Sequence, residues 1–226
     1  MTTLSPTPRS TLTRKKDRAA TDRTKLYEVL DAGLICHLGL VLNGSPVVLP
    51  TGYGRDGDTL YLHGSTGSGN LRAAATGADI CVTVTLVDGI VYARSVNNHS
   101  MNYRSAVVHG RARFVDDADE KMRGLEVVTG HLAPGSWEHA RGVNAKEFAS
   151  VGVLALDLGE ASVKVRAGEP VEEPEDVASN HVWAGVVPVQ TTFGTPVPAA
   201  YMPDGAPIPA HVANPTGSRR TPTAAD

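Results

Sequence analysis

Leu34-Ile35-Cys36-His37-Leu38-Gly39-Leu40-Val41-Leu42-Asn43-Gly44-Ser45-Pro46-Val47-Val48-Leu49 is the stretch whose reading decides the fold class. Leu34, Cys36, Leu38, Leu40 and Leu42 alternate with Ile35, His37, Gly39 and Val41, the period of a strand that buries one face. Asn43-Gly44 then separates two apolar runs. Both residues tolerate positive φ, so the pair predicts a tight hairpin. A second turn is expected at 55–58. The alternation recurs at 59–63, 80–86, 89–95, 103–115 and 151–157, and after Gly159 at 161–166.

Three stretches read as helices instead. Leu26, Val29 and Leu30 recur at helical spacing before Gly33. Residues 71–76 are Ala-rich between Gly69 and Gly77. Residues 118–131 place Met122, Leu125, Val127 and Val128 on one side, with Asp116 and Asp117 at the positive end. Six or seven strands with a few short helices predict an all-β chain, an antiparallel barrel. The organisation expected is a disordered polar arm at 1–21, one domain at 22–189 and a Pro/Gly-rich tail at 190–226.

A length of 226 residues suits one such domain. The net charge of −3 gives no field that would gather nucleic acid or an acidic membrane surface. No apolar run approaches the roughly 20 residues needed to cross a bilayer, and residues 1–22 lack the apolar block of a secretory leader. A cytoplasmic location is expected. Cys36 and Cys81 lie in apolar runs and read as buried free thiols.

Chemistry concentrates in two places. In Tyr61-Leu62-His63-Gly64-Ser65-Thr66-Gly67-Ser68-Gly69-Asn70-Leu71-Arg72 a strand meets a Gly/Ser/Thr loop and then a helix start. Backbone N–H groups, the hydroxyls of Ser65, Thr66 and Ser68, and Arg72 one turn on suit a phosphate. It is not a P-loop, since the Lys-Ser/Thr ending is missing, and no βαβ alternation supports a dinucleotide fingerprint. The same composition also serves a plain turn. The second place, Ser95-Val96-Asn97-Asn98-His99-Ser100-Met101-Asn102-Tyr103-Arg104-Ser105, reads as a polar link between strands. It has enough hydrogen-bonding groups for a flat heterocycle, or it is a solvated loop. His63, His99 and His109 show no metal-ligand spacing. Trp183 reads as a packing residue for the C-terminal segment or a contact to a neighbouring subunit.

Five segments carry a resemblance: Leu26-Tyr27-Glu28-Val29-Leu30-Asp31-Ala32-Gly33 with Ile35-Cys36-His37-Leu38-Gly39, Val47-Val48-Leu49-Pro50-Thr51-Gly52-Tyr53-Gly54, the strand and loop 60–69, the stretch 99–112, and Val182-Trp183-Ala184-Gly185-Val186-Val187-Pro188-Val189. Together, from about 22 to 189, they resemble the pyridoxamine 5'-phosphate-oxidase-like flavin split barrels, in the flavin-nucleotide-binding branch that includes nitroimidazole-resistance reductases. The resemblance implies a six-stranded antiparallel split β-barrel, a homodimer with flavin mononucleotide (FMN) in interface clefts, and oxidoreductase chemistry on a small-molecule substrate. It places Val48, Leu49, Pro50 and Thr51 at the isoalloxazine. His63, Ser65, Thr66, Gly67 and Ser68 would lie beside the ribityl chain and phosphate, and Asn102, Tyr103, Arg104 and Ser105 would approach the flavin. Many relatives carry two cations after the loop serine, where this chain has Gly69-Asn70; Arg72 or Arg104 would have to compensate. Haem, held by His63, His99 or His109, and a deazaflavin are the alternative cofactors, and a non-catalytic storage or sensing protein is the alternative function.

Overall fold

The computed structural model describes residues 3–4, 7–179 and 182–215; the expected arm and tail residues 1, 2, 5, 6 and 216–226 lie outside it. The helix read from Leu26, Val29 and Leu30 is α1 (Arg23–Ala32), opened by Asp22, whose side chain accepts the Thr24 N–H. It buries those three residues completely. The strands that follow are β2 (Cys36–Leu42), β3 (Ser45–Thr51), β4 (Tyr53–Asp56), β5 (Thr59–Ser65), β6 (Asp79–Tyr92), β7 (Ser100–Arg111), β8 (Arg113–Phe114), β9 (Val151–Asp157), β10 (Ala161–Arg166) and β11 (Gly185–Pro188), after a two-residue β1 (Ala19–Ala20). Asn43 and Gly44 take φ of 51° and 78°, as the predicted β2–β3 hairpin requires.

The strands form two antiparallel sheets. One runs β1-β10-β7-β6-β2-β3, with β11 also on β6; the other runs β4-β5-β9-β8. Alternation sends Leu38, Leu40, Val82, Val84, Ala106 and Val108 of the large sheet inward to meet Leu60, Leu62, Leu154 and Leu156 of the small one, with α1 packed among them. This is the split β-barrel. A second core lies on the outer face of the small sheet. There Tyr61, Val153 and Ala155 pack beneath Leu125 and Val128 of α3 (Ala118–Leu132).

Three expectations change. The arm is not disordered over its described residues. Leu4 is buried in the main core, β1 pairs with the outer edge of β10, and Arg9 and Thr7 hydrogen-bond Glu160. Its signal escaped because one buried leucine and a two-residue strand make no periodicity. Residues 80–86 and 89–92 of the two stretches read as separate strands belong to one fourteen-residue strand, which stops at Tyr92. Its register against β7 shifts between Val87 and Gly89, so Asp88 is the extra residue of a bulge. Finally, residues 100–105 are the start of β7 rather than a link, which shrinks to 93–99 around a short 3₁₀ turn.

Candidate functional site

The loop after β5 is held from several sides. Thr66 donates both its N–H (3.0 Å) and its hydroxyl (3.1 Å) to the Ser150 carbonyl. Gly67 N–H donates to Ser65 Oγ, and Ser68 N–H to the Ser65 carbonyl. Ser68 caps α2 (Gly69–Ala75) by accepting from Leu71 N–H. Arg72 is exposed and donates weakly to the Gly67 carbonyl at 3.4 Å. Thr66 has therefore spent its donors on the scaffold. Ser65 and Ser68 keep their hydroxyl protons, since both oxygens act above as acceptors. That donor set, with a guanidinium beside it, fits an anionic group.

Leu71 fixes the loop to the barrel. Its side chain lies over Gly64 and Gly152, which face each other across β5 and β9. A Cβ on Gly152 would stand 2.6 Å from Leu71 Cδ2, so the close approach of α2 depends on that glycine.

Ser150 closes α5 (Ala145–Ser150), capped by Asn144 in a reciprocal box with Glu147. Lys121 of α3 holds the last turn of α5: its ammonium donates to the Phe148 carbonyl at 2.7 Å and covers the Phe148 ring. Sequence reading missed α5 and Lys121, although Asn144 three residues before Glu147 is a legible start signal.

The residues read together at 102–105 do not share a face. Arg104 turns to the core side, where it forms a two-bond ion pair with Asp88 on the bulge (2.9 and 2.7 Å). Tyr103 and Ser105 alternate to the other side, opposite Val87 and Thr85. Asn102 is held by Arg166 and the Gly168 carbonyl. On β3 Val48 is 66% exposed, whereas Leu49 packs inward; Pro50 and Thr51 pair with His37 and Cys36. From β3 to β7 the sheet crosses β2 and β6, roughly 14 Å at the usual strand spacing. One protomer thus keeps β3 and the start of β7 apart.

The candidate histidines differ in availability. His99 Nδ1 accepts the Ala93 N–H, which puts the ring proton on Nε2 and disfavours that nitrogen as a metal ligand. His109 lies opposite Cys81 on the outward face of the large sheet. His63 makes no side-chain hydrogen bond among the described residues. Part of it faces solvent, yet burial lowers its pKa from the usual 6.5, so the ring is neutral at neutral pH. Of the three, His63 fits the part of a ligand or cofactor contact. Trp183 is 65% exposed and meets Tyr92, which in turn meets His99. In one protomer it is not a buried packing residue.

Three cavities stand out among the described residues. One of about 280 Å³ lies between residues 32–35, the β6 bulge, Arg104 and Val189. Another of about 230 Å³ is roofed by the arm. The third, about 380 Å³, lies between α3 and α4 (Ser136–His139) and is lined by Met122, Thr129, Trp137 and Arg141. No helix among the described residues is long and apolar enough to cross a membrane, and no cluster of three or more metal-ligating side chains occurs among them.

The family model for pyridoxamine 5'-phosphate oxidase matches residues 22–165. Among solved structures the chain is similar to the flavocytochrome Anf3 of Azotobacter vinelandii, with 37% identity over 92% of this chain and 97% of that one and a TM-score of 0.86. It is also similar to an FAD- and haem-binding protein of Mycobacterium smegmatis, with 40% identity over 86% and 95% and a TM-score of 0.83. A chain of Bacteroides thetaiotaomicron assigned to 5-nitroimidazole antibiotic resistance shares the fold at 24% identity, over 65% and 86%, with a TM-score of 0.57. No curated protein gives a significant match.

Proposed function

The chain belongs to the pyridoxamine 5'-phosphate oxidase family, and from that premise we propose that it is a flavin-binding oxidoreductase acting on a small molecule. The observation that carries this reading is the extent of the likeness to a flavocytochrome: nearly the whole of both chains. A bound flavin supplies hydride or electron transfer, and the protein's part is to bind, orient and shield it.

The loop 65–68 and Arg72 receive the phosphate. Ser65 and Ser68 donate their hydroxyl protons, while Thr66 keeps the loop docked on Ser150. Val48, Leu49, Pro50 and Thr51 offer the flavin an edge strand, and His63 a neutral imidazole. The chain acts as a homodimer in this proposal. Three observations support it: the separation of β3 from the start of β7 in a single protomer, a cavity beside Arg104 of about 280 Å³, just below the roughly 300–1,000 Å³ usual for ligand sites, and the exposed Val48, Met101 and Trp183. A second copy would bring Tyr103 and Ser105 to a cleft that one copy leaves open.

A second reading adds haem to the flavin, favoured by the two solved structures above at 37% and 40% identity. His63 is the residue here whose imidazole would hold the haem, which would supply one-electron chemistry.

The absorbance spectrum of the purified protein, chromatography of the released cofactor and light scattering test the reading. Flavin bands with a dimer mass are expected, and a Soret band with them if haem is bound. Flavin bands alone remove the haem. A colourless protein that takes up neither cofactor overturns the proposal.

A further inference from the structure

We infer that the arm and β10 form a basic docking surface for an acidic electron-carrier protein, the source of the electrons that reduce the flavin. The inference rests on the flavin reading above and adds the partner that supplies it.

Unpaired charge is the first argument. Arg14, Lys15, Lys16 and Arg18 lie in the arm just before β1, which pairs Ala19 with Lys164 of β10. The 3₁₀ turn Lys16–Arg18 packs on β10. Burial, and after it the charge of Arg18, lower the pKa of Arg166, so the two guanidinium groups feel each other. None of these six cations forms an ion pair among the described residues. Arg166 is held by neutral groups: the Asn102 side chain and the carbonyls of Gly168 and Glu169. Asp17 is the one acid within 14–18 and 164–166. Elsewhere most guanidinium groups meet a carboxylate, as those of Arg9, Arg23, Arg55 and Arg123 do. A chain with a net charge of −3 thus gathers uncompensated positive charge at one edge of its large sheet.

Position is the second. Lys164 lies opposite Ser105 and Arg166 opposite Tyr103, while Val163 between them points into the core. Both cations therefore share the outward face with the two residues assigned above to the flavin cleft. A carrier seated on the patch stands beside that cleft, and electron transfer requires such proximity.

The class of partner follows from the charge pattern. A membrane or a nucleic acid is an extended polyanion and would also meet the negative remainder of this chain. A bilayer further favours apolar side chains that insert, but the arm places Leu4 in the core and Leu12 in its own cavity. A small protein with a local acidic patch meets the cations alone, and electron-transfer encounters are small and steered by charge. Each reduced carrier gives up one electron. Two encounters, with two protons from water, bring one bound flavin to its two-electron-reduced form.

The test follows flavin absorbance by stopped flow in full-length, flavin-loaded protein. The probes are two acidic carriers, a reduced plant-type [2Fe–2S] ferredoxin and a reduced flavodoxin, with dithionite to show that the flavin is reducible. Reduction by at least one carrier should slow about tenfold or more between about 20 and 300 mM salt. Lys15→Glu/Lys16→Glu should slow it about tenfold or more at low salt, whereas Lys25→Glu/Lys146→Glu, with the same net charge on other surfaces, should change it less than about threefold. Circular dichroism checks that both variants fold. Equal slowing in the two variants, a rate independent of salt, or reduction by dithionite but by neither carrier overturns the docking surface while the flavin reading stands. Binding to phosphatidylserine vesicles or duplex DNA that only Lys15→Glu/Lys16→Glu loses, with neither carrier active, overturns it in favour of a polyanion. A protein that takes up no flavin overturns both readings.

Discussion

Replacing Gly152 by alanine tests whether α2 and its loop are positioned by close contact with the barrel. The new methyl would stand 2.6 Å from Leu71 Cδ2 and 2.9 Å from Phe114 Cε2, so both side chains must yield. Overpacking of this kind costs about 1–3 kcal/mol, and the gain from a less flexible unfolded chain returns about 0.4–1. The net loss should be roughly 0.5–2 kcal/mol, read from urea unfolding. Leu71→Ala alone should cost about 2–5 kcal/mol, since Leu71 is buried in the main core. In the double variant the truncated Leu71 leaves room for the methyl, so the combined cost should fall short of the sum by about 0.5–3 kcal/mol. Gly64→Ala is the control, because its Cβ would meet Leu71 at an ordinary 3.7 Å. Flavin affinity should fall in Gly152→Ala and recover in part in the double variant. Additive costs, within about 0.5 kcal/mol, would refute the contact.

Three further outcomes are expected. Leu4→Ala should lower stability by about 2 kcal/mol or more, because the leucine is buried in the barrel core; an unchanged melting temperature would show that the arm contributes nothing. Hydrogen bonds from Arg9 and Thr7 hold the Glu160 carboxyl at a pKa of about 2, against the usual 4.5. The clamp should then be intact above about pH 4.5 and be lost as pH falls towards 2, with the arm becoming protease-sensitive over that window. Glu160→Gln should shrink this pH dependence to what Asp79, the other carboxylate on Arg9, contributes, and a wild-type arm equally protected at pH 2.5 and pH 6 would contradict it. Arg72→Ala should weaken binding of flavin nucleotide about tenfold and leave riboflavin unaffected; equal losses for both would remove Arg72 from the phosphate contact.

Alternation made the barrel legible, since Leu38, Leu40, Val82, Val84, Val108 and Leu154 each obey the period of two and each is buried. The Asn43-Gly44 turn was equally plain, because it rests on local chemistry. What stayed hidden depends on contacts far apart in sequence. No pattern within 80–95 separates two strands from one bulged strand, as the bulge exists only in the register of β6 against β7. Arg104 looked available beside Tyr103 until Asp88, sixteen residues earlier, proved to hold it. Likewise Thr66 looked like a ligand donor, but its partner is Ser150, 84 residues on.

The arm has a further meaning during synthesis. Arg9 leaves the ribosome well before the glutamate that holds it, Glu160, 151 residues later. At about 5–20 residues per second that interval is roughly 8–30 s, during which the segment around Arg9 lacks its glutamate partner. The nascent chain must make most of both sheets before this clamp can close. The segment around Arg9 is then among the last to become native, and throughout that interval it is open to chaperones, proteases or a modifying enzyme.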